Sequence, residues 1–123
     1  MNGETSEPLV AVLCRTPILC EALSAALESI ADVRRFPAGC RDVPGLLRSL
    51  APDGIVVDSE EDLVAAAEFA TEFDAPLVHV SLRRDRLRVL VDGEWQEPES
   101  KEASPEAIRN ALVGGIFGRA RRA

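Results

Sequence analysis

Hydrophobic and polar positions along this chain fall into blocks of two different periods. "LVAVLC" (9–14), "GIVVD" (54–58) and "PLVHVSL" (76–82) are continuous apolar runs of strand length. Runs of that kind predict strands buried on both faces, as in a parallel sheet covered by helices. Between them the apolar residues recur at steps of three and four. Leu19, Leu23, Ala26, Leu27 and Ile30 form one stripe, which predicts an amphipathic helix over 17–29. Thr16 supplies a hydroxyl N-cap for it, and Pro17 takes the first helical position.

The pattern continues in the same alternation. "DVRRF" (32–36) predicts a short strand, and "DVPGLLRSL" (42–50) a short helix with Leu46, Leu47 and Leu50 on one face. Ser59 and Asp62 have capping-box spacing, followed by the stripe Leu63, Ala66, Phe69, Ala70 and Phe73. Ser104-Pro105 opens a last helix with Ile108, Ala111, Leu112 and Ile116 inward. Arg119, Arg121 and Arg122 suit its C-terminal dipole.

One stretch breaks the rhythm. In "RRDRLRVLVDGEWQEPES" (83–100), Leu87, Val89 and Val91 alternate with Arg86, Arg88 and Leu90, and Asp92-Gly93 follows. That predicts strand, turn, strand; the β-branched residues argue against a helix over 84–91. Alternating strands and helices predict an α/β fold of right-handed βαβ units. The expected architecture is a three-layer αβα sandwich of flavodoxin-like type. Its sheet is mainly parallel in order 2-1-3-4-5, with an antiparallel edge from 83–97. The domain is expected over 8–118, after a disordered lead-in (1–7) and before a basic tail (119–123).

Composition narrows the function. With 123 residues the chain suits one domain with a real core. The net charge of −7 opposes direct nucleic-acid binding, because phosphates repel it. No apolar run reaches the roughly 18 residues that span a membrane, and "MNGETSEP" is too polar for a secretory signal, so a cytoplasmic location is expected. Cys14, Cys20 and Cys40 have no CxxC spacing, and there is one His. A zinc site is therefore not expected, and the thiols read as small buried apolar groups. All but one of the 14 basic residues are Arg; the exception is Lys101.

In an open parallel sheet, ligands meet the C-terminal ends of the strands. Those ends carry Cys14 and Arg15, then Asp58 and Ser59, then Ser81. Lys101 precedes the last helix.

Here a resemblance enters. "PDGIVVD", "PLVHVS" and "KEASPEAIRNAL" resemble the receiver domain of bacterial response regulators, and "TPILCEALSAALES" is similar to the first helix of receivers that carry a C-terminal helix-turn-helix. The resemblance covers most of 9–82 and 101–117. It implies that Asp58 stands at the phosphoacceptor position. It implies that Ser81 matches the hydroxyl residue and Lys101 the lysine that contact the phosphoryl group. The family's acidic pair for magnesium is absent, because Cys14 and Arg15 occupy its positions.

That departure has a physical consequence. Aspartyl phosphorylation gathers negative charge, which a bound metal neutralises. Magnesium needs oxygen ligands; a thiol and a guanidinium offer none. Metal-dependent phosphorylation is thus expected to be disabled. The Arg15 guanidinium is expected against Asp58 as an internal ion pair, the other reading being Arg15 in solvent with Asp58 capping the next helix. No metal, cofactor or enzymatic activity is expected. Ser81 as a nucleophile needs an activating base; His79, two residues earlier in a strand, lies on the same face but too far for direct contact, and there is no GxSxG context, so His79 reads as a core or sheet-surface residue.

The interaction surface is expected at Arg84, Arg86, Arg88 and Trp95. "RRDRLR" reads as a solvated edge that discourages strand pairing, or as a partner-binding rim. Trp95 either covers the sheet edge or anchors a partner. The expected function is signalling through a protein partner or a homodimer, since no output domain follows residue 118. The alternatives are a phosphoacceptor working at Asp58, a small-molecule-binding module in the strand-end crevice, and a thiol redox sensor at Cys14 and Cys20.

Overall fold

The computed structural model describes residues 8–37, 42–81, 86–91, 93–97 and 104–122, with side chains in the last helix as far as residue 115. The lead-in expected over 1–7, and Cys40, Arg84 and Lys101, lie outside the described residues.

The three apolar runs become β1 (Leu9–Cys14), β3 (Gly54–Val57) and β4 (Leu77–Ser81). Val10 to Leu13 and Ile55 to Val57 are fully buried, as strands covered on both faces must be. β2 (Asp32–Pro37) pairs parallel to β1 on one side, and β3 does so on the other. β4 extends the parallel set beyond β3. The stripes become α1 (Pro17–Leu27), α2 (Val43–Leu50), α3 (Glu60–Phe73) and α4 (Pro105–Arg122). α4 takes in 119–122, most of the stretch set apart as a basic tail.

Helices cover both faces of the sheet. Val10, Val12, Val56, Val78, Val80, Leu87 and Val89 pack with Leu19, Leu23 and Leu27 of α1 and Ile108 and Leu112 of α4. Ala11, Leu13, Ile55, Val57, Leu77 and Leu90 pack with Leu47 of α2 and with Ala66, Phe69 and Ala70 of α3. Each buried aliphatic side chain contributes about 1.5–3 kcal/mol. α4 comes close enough to β4 that a Cβ on Gly115 would lie 2.5 Å from Pro76 Cβ, so glycine is required there.

The expected strand order holds as far as β5, but β5 runs the other way. The sheet order is β2-β1-β3-β4-β5-β6, where β5 (Arg86–Val91) and β6 (Glu94–Gln96) are both antiparallel to their neighbours. A parallel successor to β4 would need a crossover of a dozen or more residues. Only four residues separate Ser81 from Arg86, so the chain doubles back. The expected antiparallel edge is therefore present, and it includes the fifth strand itself. Gly93, at φ +78°, turns β5 into β6, the turn residue that the Asp92-Gly93 signal called for.

The outermost strand is the three-residue β6, which pairs with Val89 to Val91; Arg86 and Arg88, in the other half of β5, have their strand partners in β4. Among the described residues, no helix is long and apolar enough to cross a membrane.

Candidate functional site

Asp58 leaves β3 at the C-terminal edge of the sheet, beside the exit of β1. Its N–H donates to the Leu13 carbonyl at 3.3 Å, which holds the two strand ends together. Its carboxylate points at the start of α1. Oδ1 accepts the Arg15 backbone N–H at 2.8 Å, and Oδ2 accepts the Thr16 N–H at 3.2 Å. The first N–H groups of a helix have no partner within the helix and carry partial positive charge. A carboxylate there is a favourable cap, supplied from a distant point of the sequence.

Two expectations change as a result. Thr16 occupies the N-cap position of α1 with extended backbone, but its hydroxyl makes no capping bond. Asp58 instead accepts the N–H groups of the N-cap and of the residue before it, not those of the second and third helical residues that a capping hydroxyl serves. The expected Arg15–Asp58 ion pair is not formed through the side chain either. Arg15 Nη2 reaches Glu61 Oε2 at 2.6 Å, and the Arg15 side chain is 69% exposed. Such an exposed pair contributes about 0–1 kcal/mol. Asp58 caps the helix before it in the chain, not the one after.

The helix after Asp58 has its own cap. The Ser59 hydroxyl, buried, accepts the Glu61 N–H at 3.2 Å. Glu60, Glu61 and Asp62 occupy the first turn of α3, where negative charge meets the positive end of the helix dipole.

Cys14 ends β1 and is buried. Burial pushes its thiol well above the usual range, and the Asp58 carboxylate and a hydrogen bond with the Cys20 thiol push it further. A thiol held protonated is a poor nucleophile and a poor metal ligand. Among the described residues, no group of three or more His, Cys, Asp and Glu side chains is arranged to hold a metal ion.

The remaining residues gather at a second place. β4 and β5 pair so that His79 faces Arg88 and Ser81 faces Arg86; Leu90 faces Trp95 in β6. Alternation puts His79, Ser81, Arg86, Arg88 and Trp95 on one face of the sheet. With Glu60 of α3, four of them (His79, Ser81, Arg86 and Arg88) line a cleft of about 280 Å³. Arg88 donates to His79 Nδ1 at 3.1 Å and lies over the Trp95 ring, 4.8 Å from its centroid. Because a guanidinium can only donate, Nδ1 accepts and the neutral imidazole carries its proton on Nε2. Arg86 pairs with Glu97. Burial and the Arg88 charge push His79 below the usual imidazole range, against the opposite pull of Glu60 and Asp58.

The structure thus divides the anticipated residues into two groups. Cys14, Arg15, Asp58 and Ser59 meet at the β1–β3 exit, joined by Glu61. Ser81, Arg86, Arg88 and Trp95 meet over β4–β5–β6, joined by Glu60 and His79. Glu60 and Glu61 were not anticipated as site residues, although their place in the first turn after "GIVVD" puts them at this edge. His79 reads from the sequence as a core or sheet-surface residue on the face of Ser81; its place opposite Arg88 is set by the β4–β5 register, on which the Asp92-Gly93 signal, between β5 and β6, has no bearing.

No protein-family model matches the chain, and no curated protein matches it. Among solved structures, it is similar to the crystal structure of the anti-anti-sigma factor PhyR from Bartonella quintana, with a TM-score of 0.61 and 17% identity. The match covers 97% of this chain and 51% of that one, so the chain spans about half of that protein. At this identity the likeness is one of fold alone.

Proposed function

We propose that this chain is an atypical receiver-like signalling domain that acts by contact with another protein, without enzymatic activity and without metal-dependent phosphorylation of Asp58. The observation that carries the reading is the engagement of both Asp58 oxygens by the Arg15 and Thr16 amides. Each amide takes one lone pair of its carboxylate oxygen, so a magnesium ion would meet a carboxylate whose charge is already engaged. Each amide also presents partial positive charge to that ion. Cys14 and Arg15 stand in the positions where the resembled family keeps acidic ligands, and neither offers a hard oxygen.

A surface for contact is at hand. Val64 is 67% exposed and Trp95 39% exposed; with Leu63, Ala67 and Thr71 they form an apolar patch across the outer face of α3 and β6, flanked by Glu68 and Glu72. Exposed aromatic and aliphatic groups inside a charged border suit a protein partner with an apolar ridge and basic flanks. A homodimer through this face is the other form of the same reading. The structural neighbour is an anti-anti-sigma factor, a name that implies action on another protein.

The test is incubation with acetyl phosphate and magnesium, followed by intact-mass and peptide mass spectrometry. The reading expects no phosphoryl group on Asp58. A labelled Asp58 would favour the rival, a working phosphoacceptor.

A further inference from the structure

The reversal of β5 leaves a stretch of sheet that a parallel sandwich would cover. In a βαβ unit the crossover helix lies over the strands it connects. Here β4 passes to β5 through four residues, and the part of β4–β5 beyond the first turn of α3 is faced with polar side chains. His79, Ser81, Arg86 and Arg88 line that cleft, and Glu60 closes it from the α3 side.

Its charges are arranged unusually. Arg86 is neutralised by Glu97. Arg88 makes no ion pair with a carboxylate among the described residues; its contacts are the His79 nitrogen and the Trp95 face. Glu60 likewise makes no ion pair among the described residues, and it does not pair with Arg88 across the cleft. One positive and one negative group therefore line a single cavity, apart from each other. His79 is 95% removed from solvent, given its 5% exposure, and fixes the guanidinium from behind while Trp95 fixes it from the side.

The geometry points to a binding site for a small zwitterion, a free α-amino acid, whose carboxylate is held by the fork of Arg88 and whose ammonium is held by Glu60. A guanidinium fork matches a carboxylate with two parallel hydrogen bonds. A dianionic phosphate fits less well, because Glu60 opposes it. At roughly 30 Å³ for each water-sized group, 280 Å³ accommodates about nine such groups, the size of a small amino acid and not of a nucleotide. The site adds to the domain a means for a metabolite to bias partner contact, since Arg88, which lines the cleft, lies over Trp95, a residue of the apolar patch.

The experiment uses the full chain and its single tryptophan. Glycine, serine, valine and glutamate are titrated while Trp95 emission is followed, with calorimetry as a second readout; acetate, ethylammonium and inorganic phosphate are the controls. At least one amino acid should give a saturable change, with acetate and ethylammonium weaker by about tenfold or more, the scale of one charge-assisted hydrogen bond. Glu60→Gln, at an exposed position, should weaken that amino acid by about tenfold in calorimetry, and Arg88→Lys, which keeps charge but removes the fork, by a similar factor. No saturable response to any of the four amino acids overturns the proposal. So does phosphate binding more tightly than all of them, or undiminished affinity in Glu60→Gln.

Discussion

The backbone of Arg15 and the carboxylate of Asp58 are joined at 2.8 Å, while the Arg15 guanidinium turns to Glu61. The cation at this position therefore serves Asp58 through its peptide group, which any residue but proline provides. Asp58→Ala removes a charged cap from α1 and should lower stability by about 1–2 kcal/mol in urea unfolding. Arg15→Ala keeps the amide and should change stability by less than about 0.5 kcal/mol. Equal losses in the two variants would mean that the side chain, and not the amide, is what Asp58 requires.

That relationship also marks the limit of what the sequence made legible. The buried strands β1, β3 and β4 and all four helices are written in local periodicity, because burial on both faces or one face dictates which positions are apolar. Thr16 stands at the N-cap of α1 as the local signal predicts, but the acceptor of its N–H, Asp58, comes from 42 residues along the chain and leaves no local signal. The antiparallel edge at 83–97 is legible from the alternation at 86–91 and the Asp92-Gly93 turn signal, whereas its register against β4 is not. The cleft depends on all of these at once, so only its members, not their meeting, could be read.

His79 supplies a pH dependence. Burial and Arg88 hold its pKa below the usual imidazole value of about 6.5. Between that lowered value and about pH 6.5 the unfolded chain binds the extra proton and the folded one does not, so stability rises with pH across this window and is fully present above it. His79→Gln should flatten the rise relative to the unsubstituted protein, the carboxylates contributing alike to both. Identical pH profiles for stability would contradict the assignment.

Cys14 should be chemically silent in the folded state. Burial, Asp58 and the Cys20 thiol all favour its protonated form. Maleimide at neutral pH is expected to leave Cys14 unmodified in native protein and to label it after denaturation, as mapped by peptide mass spectrometry. Because the folded pKa is raised, stability should also decline as pH climbs above the unperturbed thiol value of about 8.5. Rapid native labelling, or a Cys14–Cys20 disulfide after peroxide, would favour the redox alternative.

Ala51 ends α2 in the left-handed region, at φ 50° and ψ 57°, on an exposed surface. A β-carbon is unfavourable there by about 1–2 kcal/mol, and glycine gives back part of the gain through the entropy of its unfolded chain. Ala51→Gly is expected to raise stability by roughly 0.5–1 kcal/mol in chemical denaturation. A loss of stability would show that the cap of α2 is not strained.

The claim that Asp58 is committed to the helix, not to a metal, is tested most directly by titrating magnesium into isotope-labelled protein and following the Arg15 and Thr16 amide resonances. The account predicts that both stay in place at millimolar magnesium, apart from small non-saturating drifts. A saturable displacement of either amide, with matching changes at Asp58, would contradict it.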